Sequence, residues 1–520
     1  MSRLKTILGF LLILLFFALV APGNHSEAED AFEYARLIEQ GQGAQLFHPH
    51  HLLFLPLEQG VFKLAQGLGY TGRSYFVAQA VSMVSGAIAL LCFFWMLSRF
   101  SKQSEKKNHF WAWISSAGLL FSYGFLRYAC EVEIYLPAMA VAAWAVCVAL
   151  RGAEHWGWFM GGILLSTLAL LLHVLNAGVA LVAVPLIYLL LFKNRKRAVW
   201  HMLLTLLIVG GIYFWVSTVW GTFRPEVKTG ETGLSFSTLW KAAVGLGQCL
   251  LSANFFFAYA PIAEKLQHLF PYRMFAEEFF MAARIPVWIK FLAPFTFLAA
   301  LTGMLGVAVY LLFSLFRMGA KSLCEKVLTP AFWIFGVWLA SAVAPTLWLE
   351  PSNPELWVMA LLPLWGLFFV LFSALEPSVR VAQAIALIVL ILGLHNGFVG
   401  MGSIHSKQSD YNFCKAEWVL NQAQAGDVLH TADSFVFSFY LDYWSGSEVE
   451  VRNLNTQEWK HGKRTYVLDD LFHPIACITI RYPEFATQLA QNQSELKPLC
   501  QKVHDDSFGG VWIVEPVSSP

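Results

Sequence analysis

Residues 1–400 contain eighteen glutamates and a single aspartate, Asp30. It sits in the run Asn24-His25-Ser26-Glu27-Ala28-Glu29-Asp30-Ala31-Phe32-Glu33, directly after an apolar stretch. A carboxylate within hydrogen-bond reach of a hydroxyl or amine can take up its proton during nucleophilic attack. A helix is predicted over 30–39. Asp30 at its start would also cap it, because free N–H groups and the helix dipole favour an acid there. The two roles are compatible. Further on, Phe47-His48-Pro49-His50-His51 places three imidazoles within four residues. Three uses compete: contact with an anion or sugar, a metal shared by the i,i+3 pair His48 and His51, or a turn with histidines at an interface. The run Arg127-Tyr128-Ala129-Cys130-Glu131-Val132-Glu133-Ile134-Tyr135 joins one cation, two carboxylates and two tyrosines. Its plainer reading is a local helical pair between Arg127 and Glu131. His173 and Asn176 interrupt an apolar run, either as buried, satisfied polar groups or as ligand contacts. The prolines of Glu350-Pro351-Ser352-Asn353-Pro354-Glu355 make a rigid turn.

These residues are islands in an apolar chain. Of 520 residues, 57% are hydrophobic and 13% charged, against roughly 25% charged in a soluble domain. That excludes a disordered chain and a soluble multi-domain enzyme. Apolar runs near twenty residues long are membrane-span candidates. They fall near 6–22, 75–98, 110–128, 134–150, 156–172, 175–192, 199–220, 289–316, 328–347, 357–375 and 381–399. With the N-terminus in the cytoplasm, Arg99, Lys102, Lys106, Lys107, Arg151, Lys193, Arg195, Lys196, Arg197, Arg317, Lys321, Lys326 and Arg380 all fall in cytoplasmic loops. Arg127 is the lone Lys or Arg in the short outer turns. This follows the positive-inside rule. An odd number of spans puts the tail on the outer face. The run 242–260 is read as an interfacial or re-entrant segment rather than a further span, with Phe255, Phe256, Phe257 and Tyr259 suited to an interface. The first run could instead be a cleaved signal peptide.

The expected fold is an all-α polytopic membrane bundle of about eleven transmembrane helices over 1–400, with outer loops at 23–73 and 221–288. A small α/β domain over 401–520 follows on the outer face. That tail carries nine basic and fifteen acidic residues. Helices are predicted at 411–424, 434–443 and 483–493, and strands at 427–431, 448–452, 464–468, 497–504 and 510–515. Asp469-Asp470 at a strand end reads as a solvated turn or a small binding feature. The eight cysteines form no CxxC motif, and one disulfide, such as Cys477 with Cys500, is open to the tail. No basic tract is long enough for nucleic acid.

Taken in order, the outer turns resemble the GT-C superfamily of polyprenyl-phosphate-sugar-dependent glycosyltransferases, in the branch of protein O-mannosyltransferases and aminoarabinose transferases. Glu29-Asp30 with Glu33, His48-Pro49-His50-His51 ahead of the second span, Glu131-Val132-Glu133-Ile134-Tyr135, His173 and the 350–357 turn carry it. It covers most of 1–400 in topology, through short motifs. Some relatives have Pro-Pro-Gly-Tyr after the His-Pro; this chain has His50-His51-Leu52-Leu53. The resemblance implies that Asp30 is the catalytic aspartate, with Glu29 beside it. It makes Glu131 or Glu133 the second acid that shapes the site. Charge on a departing phosphate would fall to Arg127, Arg224 and His173, with His48, His50 and His51 as further substrate contacts. It further implies inverting transfer from a polyprenyl-phosphate-linked sugar to a glycan, lipid or protein acceptor. The setting would be a bacterial inner membrane with the tail in the periplasm. It leaves a divalent cation open as cofactor: oligosaccharyl-transferring relatives use one, and monosaccharide-transferring relatives generally do not. A lipid or solute transporter or flippase is the competing class, and a non-catalytic membrane assembly protein a third. Transporters place polar breaks at matched mid-membrane positions, whereas here the polar residues gather at one face. Asp30 and the acids of the neighbouring turns are expected to converge at the outer lipid boundary.

Overall fold

The computed structural model describes residues 3–25, 30–100, 107–152, 155–221, 235–259, 261–262, 265, 285–432, 434–446, 448–452, 464–473, 485–506 and 509–514. The chain forms two compact units. The first comprises Met1–Ala21, Leu37–Ala253 and Phe291–Met401; the second comprises Pro22–Arg36, Asn254–Lys290 and Gly402–Pro520.

In chain order the helices of the first part are α1 (Arg3–Val20), α2 (Ala31–Gln40), α3 (Phe54–Gly67), α4 (Ser74–Phe100), α5 (Lys107–Phe121), α6 (Tyr123–Ala129), α7 (Tyr135–Arg151), α8 (Trp156–Leu172), α9 (Val184–Leu190), α10 (Arg195–Trp220) and α11 (Phe236–Leu250). They are followed by α12 (Val287–Arg317), α13 (Pro330–Leu349), α14 (Pro354–Leu375) and α15 (Val379–Leu394), which runs into a π-helical turn at His395–Gly400. Among the described residues, six helices are long and apolar enough to cross a membrane, and four shorter apolar helices join them at Thr6–Val20, Tyr135–Arg151, Trp156–Leu172 and Val174–Leu190. The chain is an integral, multi-pass membrane protein.

One expected span differs. The run 110–128 is broken at Ser122, whose ψ of 129° is extended. Its hydroxyl donates to the Gly118 carbonyl at 2.8 Å and accepts from Trp365 Nε1 at 2.9 Å. A hydroxyl that offers the backbone another partner competes with the helical ladder. The run 242–260 is not one helix either. α11 stops at Leu250, Leu251 is extended, and Asn254–Ala258 forms a separate 3₁₀ turn.

The helix termini divide the charges. Arg151, the last residue of α7, lies over the rings of Trp95 and Trp158 at 5.6 and 5.3 Å, and Arg197 lies over Phe159 at 5.5 Å. α10 opens with Arg195-Lys196-Arg197, three cations at the end where the helix dipole disfavours them. The helix dipole does not account for that placement. Asn194 supplies the cap instead, accepting from Arg197 N at 3.1 Å.

In the second unit, α16 (Tyr411–Gln422), α17 (Ser434–Ser445) and α18 (Phe485–Gln491) accompany a five-stranded sheet. Its strands are β1 (Val428–His430), β2 (Glu450–Arg452), β3 (Thr465–Leu468), β4 (Cys500–Asp506) and β5 (Gly509–Val514), in the order β2-β1-β3-β5-β4. β1 pairs in parallel with β2 and β3, while β5 pairs antiparallel with β3 and β4. Each strand falls within two or three residues of its expected place. The Asp469-Asp470 turn is internal. Asp470 is buried and accepts from Thr431 Oγ1 at 2.7 Å and Ala432 N at 3.0 Å, and Asp469 accepts from Trp512 Nε1 at 2.9 Å. Cys500 is a free thiol, so the disulfide expected of it is not formed. Cys477 lies outside the described residues.

Candidate active site

One group of polar residues of the helical body collects where α4 and α7 begin and α8 ends. Arg127, in the last turn of α6, pairs with Glu131 at 2.9 Å, and both side chains are fully buried. Four residues apart, they bridge the end of α6 and the turn into α7. Tyr75, in the first turn of α4, donates its hydroxyl to Glu131 Oε1, and Val132 N donates to the same atom at 3.2 Å. Gln79 donates to the Cys130 carbonyl at 2.9 Å, which ties the same turn to α4. Glu133 is buried beside them in sequence, 3% exposed. Two charges taken out of water are tolerated only with good geometry and further hydrogen bonds, and this cluster has both.

The His-Pro segment is bound to the His173 turn. Val174 N donates to the His50 carbonyl at 3.0 Å, and Leu53 N donates to the Leu171 carbonyl at 3.0 Å. Tyr213, from α10, donates to the Pro49 carbonyl at 2.6 Å. The His48 and His51 rings stack with centroids 4.1 Å apart, and His50 lies 5.3 Å from His48. Tyr135 is 5.6 Å from His173 and 5.9 Å from Tyr128, so aromatic rings connect this segment to the Arg127–Glu131 turn. Three segments singled out in the sequence, 47–53, 127–135 and 172–176, therefore meet.

Burial, with His50 and His48 next, pushes the His173 pKa down to about 3; burial, then His48, His173 and His50, holds His51 well below its usual value. Both are neutral near pH 7. His173 Nδ1 accepts from Leu175 N at 3.1 Å, which leaves the proton on Nε2. Asn176 donates to the carbonyls of Ala138 and Ala169 at 3.2 and 2.9 Å, a packing role. Among the described residues no group of three or more His, Cys, Asp or Glu is arranged to hold a metal ion.

Asp30 belongs to the second unit. It immediately precedes α2, accepts from Tyr34 N at 2.9 Å through its carbonyl, and accepts from the Tyr34 hydroxyl at 3.3 Å through Oδ2. Glu33 is pushed above the ordinary carboxylate range by burial and by Asp30, against a smaller effect of Arg36. Glu29 and Arg224 lie outside the described residues.

Sequence reasoning missed Tyr75, which is one tyrosine among many at a span's start. It also missed His395 and Asn396. Asn396 accepts from Ser252 N at 3.0 Å and donates to the carbonyls of Phe121 and Leu250 at 2.7 and 2.8 Å. It thus closes the ends of α5 and α11 on the π-helical turn. A His-Asn pair in an apolar run was the available signal.

Glu58 was missed as well. It sits on the buried face of α3 with Phe54, Leu55 and Phe62, and its Oε2 has no hydrogen-bond partner. Burial raises its pKa to about 8. The unfolded chain would ionise near 4.5, so Glu58 favours the fold most below that pH. The contribution is lost as pH rises to about 8, by at most ~1.4 kcal/mol per pH unit. Glu58→Gln is expected to flatten the pH dependence of thermal stability over that window; an unchanged profile would refute the assignment.

No family model and no curated protein matches the chain. Solved structures are similar to it over most of its length. One is ArnT from Cupriavidus metallidurans bound to undecaprenyl phosphate, at 14% identity, covering 100% of both chains with a TM-score of 0.48. Another is the oligosaccharyltransferase of Archaeoglobus fulgidus in the apo form, at 9% identity, covering 92% of this chain and 71% of that one with a TM-score of 0.49.

Proposed function

We propose that the chain is a membrane glycosyltransferase that moves a sugar from a polyprenyl-phosphate donor to a hydroxyl or amine acceptor. One observation carries this reading: a buried cation, two buried carboxylates and a group of imidazoles gather where α4 and α7 begin and α8 ends. Buried polar groups in membrane proteins are costly and usually functional. The acceptor oxygen or nitrogen attacks the anomeric carbon with inversion. The bond from that carbon to the phosphate oxygen breaks, and polyprenyl phosphate leaves with the electron pair. Asp30 takes the acceptor's proton. The imidazoles of His48, His50, His51 and His173 donate N–H groups to phosphate oxygens. Arg127 acts through Glu131, which holds the turn that carries Glu133.

The test uses purified protein in sealed liposomes, supplied with radiolabelled polyprenyl-phosphate monosaccharides and candidate acceptors. Transfer of label to acceptor, with release of polyprenyl phosphate, is the expected result. Movement of labelled lipid or solute across the bilayer without transfer would establish a transporter instead.

A further inference from the structure

Between α1 and α2, the described residues 21–25 and Asp30 lie outside any helix or strand. The backbone of residues 23–25 is held from nearly four hundred residues away. Gly23 N and Asn24 N both donate to the Ile404 carbonyl at 2.9 Å, and Asn24 Nδ2 donates to the Ser409 carbonyl at 2.9 Å. Asn24 is fully buried. His25 N donates to Asp410 Oδ2 at 3.0 Å, while Asp410 Oδ1 caps α16 by accepting from Phe413 N at 3.0 Å. A Cβ on Gly23 would lie 2.8 Å from Lys407 N, so the two strands of chain approach too closely for any other residue.

The first turn of α2 is seated in the same way. Phe32 is 3% exposed and packs edge-on to Tyr440 at 4.5 Å, with Tyr443, Trp444 and His25 at 5.9, 6.4 and 5.7 Å. Tyr440, Tyr443 and Trp444 are i, i+3 and i+4 on α17, so they present one face. Phe32 follows Asp30 by two residues. At about 100° per residue, a seated Phe32 turns the Asp30 position roughly 160° away, to the far side of the helix start. Arg36, one turn on, lies 4.0 Å from Glu33 and within the field of Asp442 on α17. Backbone hydrogen bonds fix where the segment runs, and the ring cluster fixes its rotation.

We infer that the C-terminal domain is a positioning element for catalysis, with Tyr440 and Asp410 as positioning residues that hold the first turn of α2 and thereby Asp30. This inference rests on the proposed role of Asp30. A general base misplaced by about 1 Å loses on the order of 10²-fold in rate, so a domain that never touches substrate can still set the turnover number.

The experiment compares Tyr440→Leu, Tyr440→Phe and Asp410→Asn with the parent chain in the liposome transfer assay. Deuterium uptake of amides 31–36 is followed in parallel. Asn still caps a helix, so Asp410→Asn keeps α16 while weakening the tie to His25. Tyr440→Leu and Asp410→Asn are expected to speed uptake at 31–36 and to lower kcat ~10-fold or more, with donor KM within ~2-fold. Tyr440→Phe, which keeps the ring, is expected to restore both. Unchanged uptake in both disruptive variants overturns the inference, as does full kcat in a variant whose uptake has risen. Asp30→Asn is assayed alongside. Full activity there removes the base assignment, while the uptake measurements still decide whether the domain holds α2.

Discussion

Asp30→Asn is expected to lower kcat by ~10²–10⁴-fold, the range for loss of a general base, while donor KM stays near the parent value. The substitution is chosen because it removes the proposed base while keeping a residue that suits a helix start. Asparagine caps a helix about as well as aspartate, and it can still accept from the Tyr34 hydroxyl, now 3.3 Å from Oδ2. The start of α2 should therefore survive. What asparagine cannot do is accept the acceptor's proton. A fall in kcat alone, with unchanged thermal stability, would identify a chemical role. A matching loss of stability would trace the fall to disruption of the start of α2 rather than to lost proton transfer. Full transfer by Asp30→Asn would end the assignment, whatever else the chain proves to do.

The second large effect lies in the helical body and is one of stability. Glu131→Leu removes the carboxylate paired with the fully buried Arg127 guanidinium and an acceptor of the Tyr75 hydroxyl. Breaking a buried ion pair from one side costs ~3–5 kcal/mol, because a charge is left uncompensated. Thermal melts in detergent should show this as a clear drop. The double variant Arg127→Met/Glu131→Leu should recover most of the loss, since an apolar pair of similar volume needs no solvation. If Glu131→Leu alone melts like the parent, the pair is not holding the turn. If the double variant is stable yet inactive, the pair is needed for the position of Glu133.

Parts of this molecule were readable without coordinates. Hydropathy located ten of the eleven expected apolar helices among the described residues, because crossing a membrane is a condition that each segment meets by itself. The strands of the tail were placed to within a few residues for the same reason: alternation and turn residues act over short distances. The break at Ser122 was not readable, since it depends on Trp365, more than two hundred residues away.

The candidate site divides along the same line. The chain alone determined which residue types were available, that the acids are mostly glutamates around one aspartate, and that the local Arg127–Glu131 spacing favours a pair. Only packing decided that the pair is fully buried, that Tyr75 completes it, and that the imidazoles at 48–51 meet His173. Packing also gave the Asp30 segment its partners at 404–410 and 440–444. Such pairings join positions that no helical or strand period connects. They follow from which apolar faces fit together, and a linear pattern does not contain that information.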